Sequence, residues 1–318
     1  MDGAAGSGVH RALITGTDAD LVAGALGFIG DGLTAGQPVV VACTVQTADL
    51  LRPQLPDAGK VAWAEWSDVF GSGAAAAVTA VRRLAERHRT EDGALVRVVL
   101  EPQPGEDPDH WREWQRYEAV LDHEVADEPL LTLCVTDTRR VPAALVATAE
   151  ATHPLLVVGA EDHPNPAHVD PAGYLGSLPV PPEPLEDTEP LLRADSVRDL
   201  RGLRRELADR AADAQLAPGS GPALEDFLLA VDEMTTNALR HGRPPVSLRL
   251  WVNGERLVCT ITDHGAGFED PFIGYGPAHG TDLSLGGMGL WLARQLCDHV
   301  DITPDGDGVH VRLTTVLA

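Results

Sequence analysis

Between Arg11 and Gly159, short apolar runs alternate with longer amphipathic ones, and this alternation restricts the fold more than any other property of the chain. Residues 12–15, 39–45, 95–100, 130–135 and 155–158 are short and rich in Val and Leu, and they read as buried strands. Residues 18–33, 74–89, 109–125 and 143–151 lie between them and carry the three-and-four spacing of helices with one apolar stripe. Strands that alternate with helices predict a parallel sheet covered on both faces, a doubly wound α/β domain. The order of the strands is not readable from the pattern. No G-x-x-x-x-G-K-[ST] occurs in the loops, and Lys60 is the only lysine, so no phosphate-loop nucleotide site is expected here.

A chain of 318 residues is long enough for two ordinary domains, each able to bury a core. Prolines crowd the stretch from 163 to 190, which reads as an extended, fairly stiff linker between a domain at 1–162 and another at 191–318. The formal charge of -24 comes from 48 acidic and 24 basic residues and argues against a nucleic-acid partner, because phosphate contacts need clustered Lys and Arg. A protein partner is expected instead. Cys43, Cys134, Cys259 and Cys297 sit singly in apolar settings, which favours reduced buried thiols. No run of ~18 apolar residues is present to span a bilayer, and the start Met1-Asp-Gly-Ala-Ala-Gly-Ser lacks a basic-then-apolar signal pattern. No membrane contact and a cytoplasmic location are therefore expected.

The second half reads as helices on one face of a mixed sheet, an α/β sandwich. Asp195-Ser196 would cap a helix over 197–216, the Asn253-Gly254 turn would join strands 245–252 and 255–262, and a last strand would run over 309–316. Apolar residues at Leu224, Phe227, Leu228, Val231, Met234, Ala238 and Leu239 predict a second helix that stops at Gly242. Glu233 and Asn237 share a face of it, one turn apart. A carboxylate and a carboxamide so placed can hold a hydrated magnesium ion and orient a hydroxyl, although such a pair alone is more often a solvated helix face. Downstream, a strand-like run ends at Asp263 and is followed by Gly265 and Gly267. A strand-end carboxylate can accept a hydrogen bond from an exocyclic amine, while the glycines let backbone approach a ligand. Gly286-Gly-Met-Gly289 then runs straight into an amphipathic helix, aiming unpaired amides at an anion. Each signal is weak alone. In this order and within ~60 residues, they supply the metal, base and phosphate contacts of one nucleotide.

These three segments resemble the N, G1 and G2 boxes of the GHKL (Bergerat) ATPase superfamily, and in compact form the anti-sigma factor serine/threonine kinases. The resemblance covers roughly 190–318. It implies ATP and Mg as cofactors, Asn237 as the magnesium ligand and Glu233 as general base. It also implies Asp263 as the adenine reader, Gly265, Gly267, Gly287 and Gly289 along the nucleotide, and residues 269–286 as a lid. Across 8–165, His10, Tyr117-Glu118, Leu133-Cys134 with Asp137, and His153-Pro154 resemble the MEDS domain, a sensory module related to RecA-like ATPases. That implies a small-molecule effector. The spacing of His10, Cys134 and His153 matches no metal-binding pattern, so they read as satisfied structural residues, and Tyr117-Glu118 reads as helix packing and capping.

Within the superfamily, residues 193–216 hold no histidine to accept a phosphoryl group, which argues against a histidine kinase. No further domain follows the boxes before Ala318, which argues against gyrase-like and mismatch-repair ATPases. The resemblance thus implies a kinase that phosphorylates an anti-sigma-factor antagonist and is gated by the amino-terminal domain. The alternative is a non-catalytic nucleotide-binding switch that sequesters a sigma factor or the antagonist. A homodimer stays open.

Overall fold

The computed structural model describes residues 10–65, 69–70, 73–103, 108–213, 216, 219–277, 287–306 and 308–317. Its packing separates two compact units between Leu178 and Pro179.

In the first unit, β1 (His10–Thr15), β2 (Val39–Ala42), β3 (Val61–Ala64), β4 (Val96–Leu100), β5 (Leu130–Asp137) and β6 (Leu155–Val158) are parallel. Their order is β3-β2-β4-β5-β1-β6, and β7 (Glu161–Pro164) adds an antiparallel edge on β6. The helices are α1 (Asp18–Thr34), α2 (Val45–Leu51), α3 (Ala74–Arg87), α4 (Pro108–Val125), α5 (Ala143–Thr152) and α6 (Pro171–Ser177). Leu13, Val39, Val41, Val99, Leu133 and Val135 pack with Leu21, Ala25, Phe28 and Ile29 of α1. Side chains alternate along a strand, so Ala12 and its register partner Cys134 face the other way. That second face is covered by α3 and α5, with α4 packed against both.

Strand β2 ends at Ala42, earlier than its apolar run, because the next residues build a helix cap. Thr44 Oγ1 accepts from the Thr47 amide at 3.2 Å, while Glu101 Oε2 accepts from the Thr44 amide at 2.8 Å. The proline-rich stretch also carries more structure than an extended linker. Pro164 sits on an edge strand and Pro171 at the first position of α6, two places where a missing N–H costs nothing. Further along, Glu183 pairs with Arg256 at 3.0 Å, Glu186 with Arg312 at 3.2 Å, and Trp251 Nε1 donates to the Thr188 carbonyl at 3.0 Å. Residues 183–188 thereby belong to the second unit's packing.

The second unit has the strands β8 (Leu192–Ala194), β9 (Ser247–Val252), β10 (Arg256–Asp263), β11 (His299–Asp305) and β12 (Gly308–Val316). Their order is β11-β12-β10-β9-β8, and every pairing is antiparallel rather than mixed. One face carries α7 (Leu200–Asp213), α8 (Gly221–His241) and α9 (Gly287–Leu296), over a core that includes Leu248, Leu250, Leu257, Cys259, Ile261 and Leu313. Helix α7 starts later than its apolar pattern because the Val197 amide bonds the Val246 carbonyl at 2.8 Å, leaving Asp199 Oδ1 to accept from the Arg201 amide. Helix α8 buries Phe227, Ala230, Val231, Met234, Thr235 and Ala238, and its last turn closes with the Gly242 amide on the Ala238 carbonyl at 3.0 Å. Burial of a side chain such as Phe227 contributes about 2–3 kcal/mol. In the β9–β10 hairpin Asn253 Oδ1 accepts from the amides of Glu255 and Arg256, at 2.9 and 2.7 Å, and so holds the turn with its side chain.

Among the described residues no helix is long and apolar enough to cross a membrane.

Candidate functional site

Glu233 and Asn237 stand one turn apart on α8, half-buried beside Met234 and Ala238. The first turn of α9 lies directly against them. A Cβ on Gly289 would stand 2.8 Å from Glu233 Oε2 and 3.2 Å from Asn237 Nδ2, so glycine here leaves these two polar groups in place where a side chain would push them aside. Asn237 Nδ2 is buried and has no hydrogen-bond partner among the described residues. Leaving such a donor unpaired costs about 1–3 kcal/mol, and an orphan of this kind marks a place where a ligand acceptor fits.

Asp263 ends β10 and is buried, with 8% exposure. Its Oδ1 accepts from the Gly265 amide at 2.6 Å and from the Arg243 amide at 3.3 Å. The His264 amide donates to the Arg243 carbonyl at 2.9 Å, zipping the segment after β10 to the segment after α8. Glycines surround the carboxylate because nothing larger fits: a Cβ on Gly242 would lie 2.4 Å from Asp263 Cγ, and one on Gly265 2.7 Å from Asp263 Oδ1. Gly267 takes φ +82, the left-handed region that favours glycine, and turns the chain past Val309.

Asn237, Asp263, Gly265 and Gly267 line one cavity of about 600 Å³, which is the size of a small-molecule site. Met234, Phe268, Ile273, Val309 and Val311 give it apolar walls, and Glu269 and Asp270 place two more carboxylates at its edge. That balance suits an apolar, amine-bearing ring, and an anionic group would enter with a cation. Among the described residues Glu233 and Gly289 are outside the lining, next to Asn237. Gly287 is the first residue of α9. Of the expected lid, residues 269–277 are anchored on α9: Tyr275 is buried, the Arg294 guanidinium lies 4.1 Å over its ring, and Gly274 packs on Leu290. Residues 278–286 lie outside the described residues. Gly242 and Gly308 were not anticipated as parts of the site; the first read as a helix stop and the second as a turn residue.

The first unit brings together residues that sequence spacing left apart. One ligand atom each from His10, Glu118, Cys134 and His153 lie within 4.8 Å of one another, and all four residues are buried. Asp137 is not among them, since its carboxylate is bound by Arg139 at 2.9 and 2.8 Å and lies 3.2 Å from Arg140 Nε.

Comparison with known proteins agrees with both halves. Residues 9–154 match the family model described as the MEthanogen/methylotroph, DcmR Sensory domain (MEDS), and residues 193–315 match that of the histidine kinase-like ATPase domain. The serine-protein kinase RsbW of Bacillus licheniformis is 38% identical over 105 residues, and that of Bacillus subtilis (strain 168) is 36% identical over 105. Each alignment covers 30% of this chain and 65% of the relative, so the chain spans just under two thirds of the length of these kinases. A crystal structure of the RsbU and RsbW domains of a Mycobacterium tuberculosis protein matches at 18% identity and a TM-score of 0.29, covering 41% of this chain and 32% of that one, a level that carries no structural argument. The chain joins an amino-terminal MEDS domain to a carboxy-terminal histidine kinase-like ATPase domain of the GHKL type.

Proposed function

We propose that the carboxy-terminal domain binds ATP with Mg²⁺ in the cavity between α8 and the end of β10. It passes the γ-phosphoryl group to a serine or threonine of an anti-sigma-factor antagonist, and the amino-terminal domain, 1–162, modulates this reaction as a sensor of a small molecule. The observation that carries the reading is the seating of Gly289 on Glu233 and Asn237, with an unpaired Asn237 amide facing a nucleotide-sized cavity that ends at Asp263.

Asp263 accepts from the exocyclic amine of adenine, its Oδ1 already held by two backbone amides. Gly265 and Gly267 keep side chains out of the nucleotide's path, and Gly287 and Gly289 bring the amino-terminal end of α9 to the phosphates. The Asn237 carboxamide oxygen is the protein ligand for Mg²⁺, which neutralises phosphate charge when bound. Glu233 takes the proton from the partner's hydroxyl as its oxygen forms the bond to phosphorus and the bond to the ADP oxygen breaks. We place the protein in the cytoplasm, where ATP and such partners reside. A second reading, a nucleotide-dependent switch that sequesters a sigma factor or its antagonist without transfer, draws on the position of Glu233 outside the cavity lining.

Calorimetry of the full chain with ATP tests the binding step. Heat is expected with Mg²⁺ present, and Asn237→Ala should weaken Mg²⁺-dependent binding by about tenfold or more, from loss of one protein ligand. Absence of heat from the parent chain would overturn the nucleotide reading.

A further inference from the structure

The cluster at the centre of the first unit has no role in nucleotide binding, and its ligand atoms converge in a way that neutral imidazoles facing a carboxylate leave unbalanced. His153 Nδ1 lies 2.9 Å from the Ala149 carbonyl, an acceptor only, so this nitrogen carries the proton and donates it there. The neighbouring Thr152 hydroxyl is already committed as donor to the Thr148 carbonyl at 2.9 Å. In a neutral imidazole, His153 Nε2 is then a lone pair, and it stands 3.2 Å from Glu118 Oε2, an oxygen that is also an acceptor. His10 Nε2 approaches the same oxygen at 3.3 Å and Cys134 Sγ at 3.1 Å. Neither His153 Nε2 nor Glu118 Oε2 has a hydrogen-bond partner among the described residues. Their side chains are 0% and 2% exposed, shut off from bulk solvent. One imidazolium could pair with the Glu118 carboxylate, but both rings cannot be charged together, because those of His10 and His153 lie 3.8 Å apart between centroids and would repel, whereas one cation would meet all four converging ligand atoms.

We propose that His10, Glu118, Cys134 and His153 bind one zinc-class divalent transition-metal ion in the interior of the amino-terminal unit. Zn²⁺ bonds to imidazole nitrogen and carboxylate oxygen are ~2.0–2.2 Å and to thiolate ~2.3 Å, which gives a tetrahedron with edges of ~3.3–3.6 Å. The three short approaches in the cluster, 3.1 to 3.3 Å, are close to such edges. Two nitrogens, a sulfur and an oxygen suit Zn²⁺ or Co²⁺ and not Mg²⁺ or Ca²⁺, which take oxygen donors. Among the four ligands the charges balance: a divalent ion, one thiolate, one carboxylate and two neutral imidazoles sum to zero, and the Asp122 carboxyl lies outside the set, 3.6 Å from His10 Nδ1. On binding, the Cys134 thiol releases its proton to solvent. The Ala149 carbonyl on His153 Nδ1 plays the part that backbone carbonyls play behind ligating histidines, fixing the tautomer that leaves Nε2 free. The ligands come from β1, α4, β5 and the residue after α5, so the ion would tie together the sheet and the helical layer on its second face.

The test is metal content of the full chain, expressed with added Zn²⁺ and dialysed against a weak chelator, followed by Co²⁺ substitution. About one equivalent of Zn²⁺ should remain by elemental analysis. The Co²⁺ form should show the strong visible bands of four-coordinate cobalt with a sulfur-to-metal charge-transfer band in the near ultraviolet. Cys134→Ser should lose the charge-transfer band, and His153→Gln should lose Zn²⁺ retention. Zn²⁺ well below one equivalent in the parent, or a six-coordinate cobalt spectrum without the thiolate band, overturns the proposal whatever the variants do. Retention and spectra unchanged in both variants overturn it too, by placing the metal elsewhere.

Discussion

Replacing Gly289 with alanine puts a methyl group where the contact between α8 and α9 has no room for it. The new Cβ would begin 2.8 Å from Glu233 Oε2 and 3.2 Å from Asn237 Nδ2. Ordinary contact begins near 3.4 Å, so the Glu233 carboxylate must retreat by about 0.6 Å and the Asn237 amide by a few tenths of an ångström. Both atoms are the far ends of side chains, so the fold yields at little cost. Alanine also gains roughly 0.5–1 kcal/mol over glycine within a helix, which offsets part of the strain. Global stability should therefore change by less than about 1 kcal/mol. Function should not escape, because displacement of catalytic groups by about 1 Å can cost 10²-fold in rate. The expectation is a transfer rate about 10²-fold lower, measured with labelled ATP and antagonist, and an unfolding midpoint within a few degrees of the parent. Unchanged transfer in Gly289→Ala would refute the claim that Glu233 and Asn237 act where α9 meets them.

Asp263→Asn turns part of an acceptor into a donor beside the ring, so ATP affinity should fall and the preference for ATP over GTP should shrink, read by calorimetry with each nucleotide; an unaltered preference would remove Asp263 from base reading. The cysteines should be slow to react. Burial, then Glu101, pushes the Cys43 thiol up to about 12, and burial pushes Cys297 up to about 12. Both thiols stay protonated at pH 8, and disulfide reagents should label them about 10³-fold more slowly than an ordinary exposed thiol; rapid labelling of the native chain would contradict the burial.

The parts of the fold that could be read in advance are those whose burial leaves a mark on residue type. β2 is three valines and an alanine, all buried, β4 is valine and leucine around a half-buried Arg97, and α8 repeats its apolar residues every three or four positions. β7, by contrast, is Glu161–Pro164, exposed throughout and held by backbone pairing with β6 and by the Arg11–Asp162 ion pair at 2.8 Å, so no hydrophobic pattern announces it. β11 reads as polar because it carries Asp301, which is buried and pairs with Arg312 at 2.9 Å. β3 is Val-Ala-Trp-Ala at the sheet edge with only Val61 buried, so it carries no apolar run to separate it from a loop. At the cavity of the second unit, Asn237 and Asp263, with Glu233 beside them, could be named because each lies in a contiguous motif. Gly242 and Gly308 could not, since their roles come from how closely they approach Asp263 in space. The cluster of His10, Glu118, Cys134 and His153 escaped for the same reason: its members lie on separate elements, and only the pairing of β1 with β5 and the packing of α4 and α5 over them bring the four together.

Phosphoryl transfer by the parent chain and by Glu233→Gln, followed under single-turnover conditions with Mg²⁺, labelled ATP and an anti-sigma-factor antagonist, bears most directly on the kinase reading. The glutamine keeps the shape of the side chain and removes the base, so transfer should fall by about 10²- to 10⁴-fold while ATP affinity changes by less than about tenfold. Transfer by Glu233→Gln at the parent rate would contradict the assignment of Glu233 as the base, and no transfer by the parent to any antagonist would contradict the kinase itself and leave the nucleotide-dependent switch.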